Sequence, residues 1–100
     1  LAKNAGIDPA KVPQALKGGY ADSPMFQRFF PRMIERDFDP AGYARQVLKD
    51  LDMVVDLAQQ TNTPVPMFSQ STALYRVLIA KGHSELDATA ILKIYDDQTL

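Results

Sequence analysis

The sequence predicts an all-α fold, a single helical bundle of five or six helices around one central helix, and three observations carry that expectation. First, Tyr43–Gln60, YARQVLKDLDMVVDLAQQ, is the longest run free of Pro and Gly. Its Ala44, Val47, Leu48, Leu51, Val54, Val55 and Ala58 recur at i, i+3, i+4 and i+7, the spacing that gathers apolar groups on one side of a helix. Second, helix starts are written as a capping residue followed by proline, at Asp8-Pro9 and Ser23-Pro24. Third, no segment alternates apolar and polar residues as a half-buried strand would.

The central helix carries Arg45, Lys49, Asp52 and Asp56 along its opposite side, with Met53 and Leu57 as a second apolar edge. The helix is therefore expected to be mostly surrounded and its Leu51 to be core. The polar strip, a lysine between carboxylates, is the place to look for chemistry. As a bare pattern, the same four charges also describe a solvated helix face.

Composition narrows the function classes. One hundred residues, 46% of them hydrophobic, suit one domain with one core. The chain has no Cys, which excludes disulfides, thiolate catalysis and Cys-based zinc sites and fits a cytoplasmic location. One His leaves carboxylates nearly alone as metal ligands, and no metal site is expected. Eleven basic against twelve acidic residues, net charge −1, offer no footprint for a phosphate backbone, so nucleic acid is not an expected partner. No apolar run approaches the roughly 20 residues that span a bilayer, and no membrane partner is expected.

In chain order, Leu1–Ala5 followed by Gly6 reads as the last turn of a helix closed by a left-handed glycine, as in a chain cut from a larger protein. Asp8-Pro9 starts a short helix to about Lys17, with Val12, Ala15 and Leu16 as its apolar face, and Gly18-Gly19 stop it. Ser23-Pro24 starts the next, whose Met25, Phe26, Phe29, Phe30, Met33 and Ile34 form a core stripe. Pro31 predicts a break or kink there. Arg36–Gly42 is a loop into the central helix. Thr61–Pro66 is a second breaker, followed by a helix from about Met67 to Lys81 that buries Leu74, Tyr75, Val77 and Leu78 before Gly82. His83 reads as a solvated loop residue. Ser84 caps a last helix with Asp87 at its third position, and Ala90, Ile91, Ile94 and Tyr95 face inward. The tail from Asp96 to Leu100 carries no further signal.

The octapeptide Lys49-Asp50-Leu51-Asp52-Met53-Val54-Val55-Asp56 resembles the motif KDLGxAxD of the β-hydroxyacid dehydrogenases, the family of 3-hydroxyisobutyrate dehydrogenase and tartronate semialdehyde reductase. Asp52 stands where that motif has Gly, and Val54 where it has Ala. Ala5–Pro9, Lys17–Ser23, Arg36-Asp37-Phe38 and Gly82–Ala90 are similar to the same family in the same order, so the resemblance covers essentially the whole chain. It implies a C-terminal all-helical domain over residues 1–100, like that of 6-phosphogluconate dehydrogenase, whose N-terminal Rossmann domain is absent from this sequence.

The resemblance also implies a role. The parent would be an NAD(P)-dependent oxidoreductase passing a hydride between C4 of the nicotinamide and the hydroxyl-bearing carbon of a small 3-hydroxy acid. The helical domain would close the cleft against the Rossmann domain of the same chain and support a homo-oligomer. Lys49 would hold the nicotinamide end of NAD or NADP, and Asp56 would orient or neutralise it from behind. No catalytic residue is assigned within the sequence: neither the glycine fingerprint for a pyrophosphate nor the GxxGxGxxxKxxxN stretch with its proton-transfer lysine is present. The alternative is a non-catalytic module of the same fold that dimerises or binds a partner.

Overall fold

A computed structural model describes residues 1–96, so the tail beyond Asp96 lies outside the described residues. Five α-helices follow in order: α1 Val12–Leu16, α2 Pro24–Ile34, α3 Ala44–Thr61, α4 Pro66–Ala80 and α5 Lys93–Asp96. Single 3-10 turns at Pro9–Lys11 and Ala88–Leu92 lead into α1 and α5, and no strand occurs among the described residues. The expected single bundle around one central helix is corrected: the chain divides into two compact units, Leu1–Asp37 and the residues from Phe38 onward.

In the first unit, residues 2–6 close a helical turn as read from the sequence. Gly6 is left-handed at φ 80°, and the Ile7 amide reaches back to the Ala2 carbonyl at 2.9 Å. Asp8 caps the first 3-10 turn by accepting from the Ala10 amide at 3.0 Å. The apolar face expected on α1 is not its buried one, since Pro13 is buried while Ala15 and Leu16 are exposed.

Gly18, at φ 79°, donates its amide to the Asp22 carboxylate at 2.8 Å, and Asp22 also accepts from the Ser23 amide and the Gln27 side chain. The Gly18 amide foremost, then Gln27, hold the Asp22 carboxyl below the usual carboxylate range. Gln27 donates in addition to the Pro13 carbonyl at 2.8 Å, which ties α1 to α2. α2 runs unbroken through Pro31, contrary to the expected break. The proline lies one turn from the helix end and forfeits a single amide, so the remaining ladder survives. The Phe26 and Phe30 rings pack at 4.9 Å between centroids, yet no residue of α2 is fully buried.

The second unit is built on α3 and α4, a helical hairpin turned by Asn62–Val65. α3 ends where Asn62 goes left-handed at φ 53° and the Thr63 amide returns to the Ala58 carbonyl at 2.9 Å. α4 ends in the same way at Gly82, φ 92°. The core is small: Ala44, Leu78 and Ala90 have no exposed surface, and Phe38, Tyr75, Ile79, Leu86, Ile91 and Ile94 pack around them.

α3 buries Ala44, Leu48 and Ala58, more residues than any other helix among those described, and Leu51 is partly buried rather than core. Val77 of α4, expected in the core, is exposed, while Thr72 is buried and returns its hydroxyl to the Phe68 carbonyl.

What launches α3 is a buried carboxylate. At the first turn of α3 the Gln46 side chain accepts from the Tyr43 amide at 3.3 Å, while the Ala44 amide donates to the Leu86 carbonyl at 2.8 Å and the Arg45 amide to the Ser84 carbonyl at 3.1 Å. Asp87, 2% exposed, fixes the loop before that turn. One of its oxygens accepts from the Ala41 and Gly42 amides at 2.8 and 3.2 Å, the other from the Thr89 amide and hydroxyl at 3.0 and 2.6 Å.

Backbone bonds flank the clamp on both sides, Asp87 N–H to Phe38 O and Ala88 N–H to Gly42 O, both at 2.9 Å. Below it the Tyr75 hydroxyl donates to the Ala88 carbonyl at 2.9 Å. Burial pushes the Tyr75 phenol up, and the Asp87 charge adds to the shift. The expected helix from Ser84 is therefore corrected: residues 84–87 serve α3, and Asp87 is itself the cap of the following 3-10 turn.

Two predictions follow from this packing. Leu78→Ala should cost about 2–5 kcal/mol in urea unfolding, because the removed side chain leaves a cavity, and Leu51→Ala should cost less. For Asp87, burial opposes the charge, but the Thr89 hydroxyl and amide with the Ala41 and Gly42 amides outweigh it and bring the carboxyl from 3.8 down to about 2. A carboxyl depressed in the folded state stabilises fully above its unfolded value and loses that contribution as pH falls through its folded value. The wild type should thus lose about 2 kcal/mol more than Asp87→Asn between pH about 5 and about 2, measured by denaturant titration at each pH.

Candidate functional site

The four charges on the polar strip of α3 are sorted by residues from elsewhere in the chain. Arg45 pairs with Glu85 at 2.9 Å and lies 4.6 Å from the centre of the Tyr43 ring. Asp52 pairs with Arg76 of α4 at 2.6 Å. Lys49 and Asp56, both exposed, are in no ion pair or side-chain hydrogen bond among the described residues. The two engaged pairs are solvent-facing, and each contributes little to stability.

Lys49 and Asp56 are not brought together. Seven residues of helix separate them by about 10.5 Å along the axis, beyond hydrogen-bond reach, so Asp56 acts on Lys49 only through a screened field. Lys49 sits in the second turn of α3 and is exposed, its ammonium carrying three donors.

A cleft of about 590 Å³ lies at the other end of α3, between Val55, Gln59, Asn62, Thr63, Val65 and Ser69. No charged side chain lines it, and neither Lys49 nor Asp56 reaches it. Among the described residues no three His, Cys, Asp or Glu side chains converge to hold a metal ion, and no helix is long and apolar enough to cross a membrane.

Sequence reasoning missed Asp87 and Tyr75 as site-building residues. A signal for Asp87 existed: Asp followed two positions later by Thr89, with a helical turn between, is a cap whose hydroxyl partner is local. Nothing in the sequence shows that its second oxygen takes two amides from residues 41 and 42.

Comparison with known proteins gives the geometry its context. Residues 1–95 match a family model described as NAD-binding of NADP-dependent 3-hydroxyisobutyrate dehydrogenase. The chain is 34% identical over 93 residues to 2-hydroxy-3-oxopropionate reductase of Escherichia coli K12, covering 93% of this chain and 32% of that protein. It is 26% identical over 95 residues to L-threonate dehydrogenase of Cupriavidus necator, 95% of this chain and 32% of that one. A crystal structure of 3-hydroxyisobutyrate dehydrogenase from Salmonella typhimurium superposes with a TM-score of 0.86 at 24% identity, over 94% of this chain and 33% of its own, a likeness of fold alone.

The chain thus spans about a third of the length of the relatives it matches. The all-α fold class of 6-phosphogluconate dehydrogenase C-terminal-domain type is corrected by this match, because the matched region is described as the NAD-binding part. With 95 of its 100 residues matched, the chain belongs to the NAD-binding family of NADP-dependent 3-hydroxyisobutyrate dehydrogenase.

Proposed function

We propose that the whole protein is an NAD(P)-dependent dehydrogenase of small 3-hydroxy acids, in which Lys49 meets the nicotinamide end of the cofactor and Asp56 tempers its charge. The observation that carries this reading is the sorting of charges on α3, which leaves Lys49 as the strip's cation with no ion pair among the described residues. The names of the relatives, a reductase and dehydrogenases of hydroxy acids, support the reaction class. When bound, the nicotinamide supplies or accepts the hydride. Lys49 orients and binds: its ammonium donates to the ribose or carboxamide oxygens and fixes the approach of the ring, while the start of α3 closes over that end of the cleft. Asp56, two turns on, offsets part of the positive field without contact.

The helical region also supports dimerisation in this reading, through the exposed Met53, Val54 and Leu57 of α3. A non-catalytic dimerising module would use the same stripe, and that second reading predicts association with no kinetic role for Lys49.

In the full-length protein, Lys49→Ala should raise the cofactor KM and lower kcat, for a combined loss of about 10- to 100-fold in kcat/KM, because a hydrogen bond from a charged donor contributes about 1.5–3 kcal/mol. Lys49→Arg should recover only part of it. Arg45→Ala, already committed to Glu85, should leave the kinetics near wild type, and equal effects at both positions would overturn the assignment. Sedimentation should show a dimer that Leu57→Asp weakens; a strict monomer in the wild type would remove the dimer role.

A further inference from the structure

We infer that Asp87 is a positioning residue for the cofactor contact of Lys49: its carboxylate fixes the loop that launches α3, and the helix carries that setting to the ammonium. The inference rests on the Lys49 reading above and adds to it a residue 38 positions away in sequence.

The geometry separates what Asp87 does from ordinary core packing. Its two oxygens have different tasks: one grips the Ala41 and Gly42 amides, the other the Thr89 amide and hydroxyl. The first task fixes the chain immediately ahead of α3, and the second fixes Asp87 to its own segment. That segment also supplies the carbonyls of Leu86 and Ser84 that take the first two α3 amides. The 84–89 strip thus takes the first two amides of α3, beside the Gln46 side chain, which accepts from the Tyr43 amide at 3.3 Å.

Lys49 lies five residues beyond Ala44, about 7.5 Å along the axis, so a tilt or slip at the loop is delivered to the ammonium with little lever arm to absorb it. A displacement of about 1 Å at a group that orients a reacting ring is enough to cost activity. Asp87 touches no cofactor or substrate in this account. It acts through α3.

The test measures cofactor KM, kcat and thermal midpoint of the full-length enzyme in parallel. Asp87→Ala should raise cofactor KM about tenfold, as expected for a misplaced binding group. Asp87→Asn, whose carbonyl oxygen still accepts from Ala41 and Gly42, should restore most of that affinity while remaining less stable than wild type. Leu78→Val loosens the same core without touching the clamp, and should lower the midpoint with cofactor KM unchanged. In a Lys49→Ala background, Asp87→Ala should add no further rise in cofactor KM. Where Asp87→Ala does not fold, Ala41→Pro deletes one loop donor with Asp87 in place and should show the same rise and the same dependence on Lys49.

If Lys49→Ala leaves cofactor KM at the wild-type value, the Lys49 reading falls and this inference with it. If Lys49→Ala raises KM but Asp87→Ala does not, or raises it equally without Lys49, or Leu78→Val raises it as much, the Asp87 inference alone is overturned.

Discussion

A carboxylate taken out of water costs several kcal/mol unless donors from the chain replace its hydration. Among the donors that meet that condition for Asp87 are three backbone amides and one hydroxyl, from residues 41, 42 and 89. The rest of the second unit is arranged so that those donors arrive. The loop from Phe38 to Gly42 must run against the 84–89 strip, and α3 must begin where that strip can supply carbonyls. Ala44 and Ala90 are both fully buried in the core that results. Leu78 of α4 fills the space between them, and Tyr75 closes the arrangement by donating to Ala88.

Helix ends obey a second rule, one of backbone satisfaction. At Gly6, Arg36, Asn62 and Gly82 the chain turns left-handed, and an amide just past the turn returns to a carbonyl five residues earlier. Arg36 does this with a Cβ, at a steric cost that glycine avoids. Its neighbour Asp37 donates its amide to the Arg32 carbonyl and pairs its carboxylate with the Arg32 guanidinium at 3.4 Å. These closures set the lengths of the helices, and so the places where α3 and α4 begin and stop.

The chemistry of α3 follows from what those two rules bring beside it. Glu85 reaches Arg45 because the 84–89 strip lies against the first turn of the helix. Arg76 reaches Asp52 because α4 returns antiparallel. Two of four strip charges are thereby occupied, while Lys49 and Asp56 face outward without a partner among the described residues.

Much was determined by the sequence alone. The period of α3, the proline-headed starts of α2 and α4 and the glycine stops are local properties, written within a few residues of where they act. The family was legible too, from the octapeptide that begins at Lys49. What only tertiary structure decided involves partners far apart along the chain. Leu51 fits the apolar stripe of α3 as well as Leu48 does, yet Leu48 is buried and Leu51 only partly, a difference that periodicity does not carry. Asp87 reads as an ordinary member of a helix start, because one of its oxygens does cap locally, while the other takes amides 45 and 46 residues away. Pro31 reads as a break or kink, and α2 continues through it without a break, since local sterics say nothing of a helix that has one turn left to run. Local conformation is set by neighbours in sequence, whereas burial and charge pairing are set by neighbours in space, which a period of 3.6 does not encode.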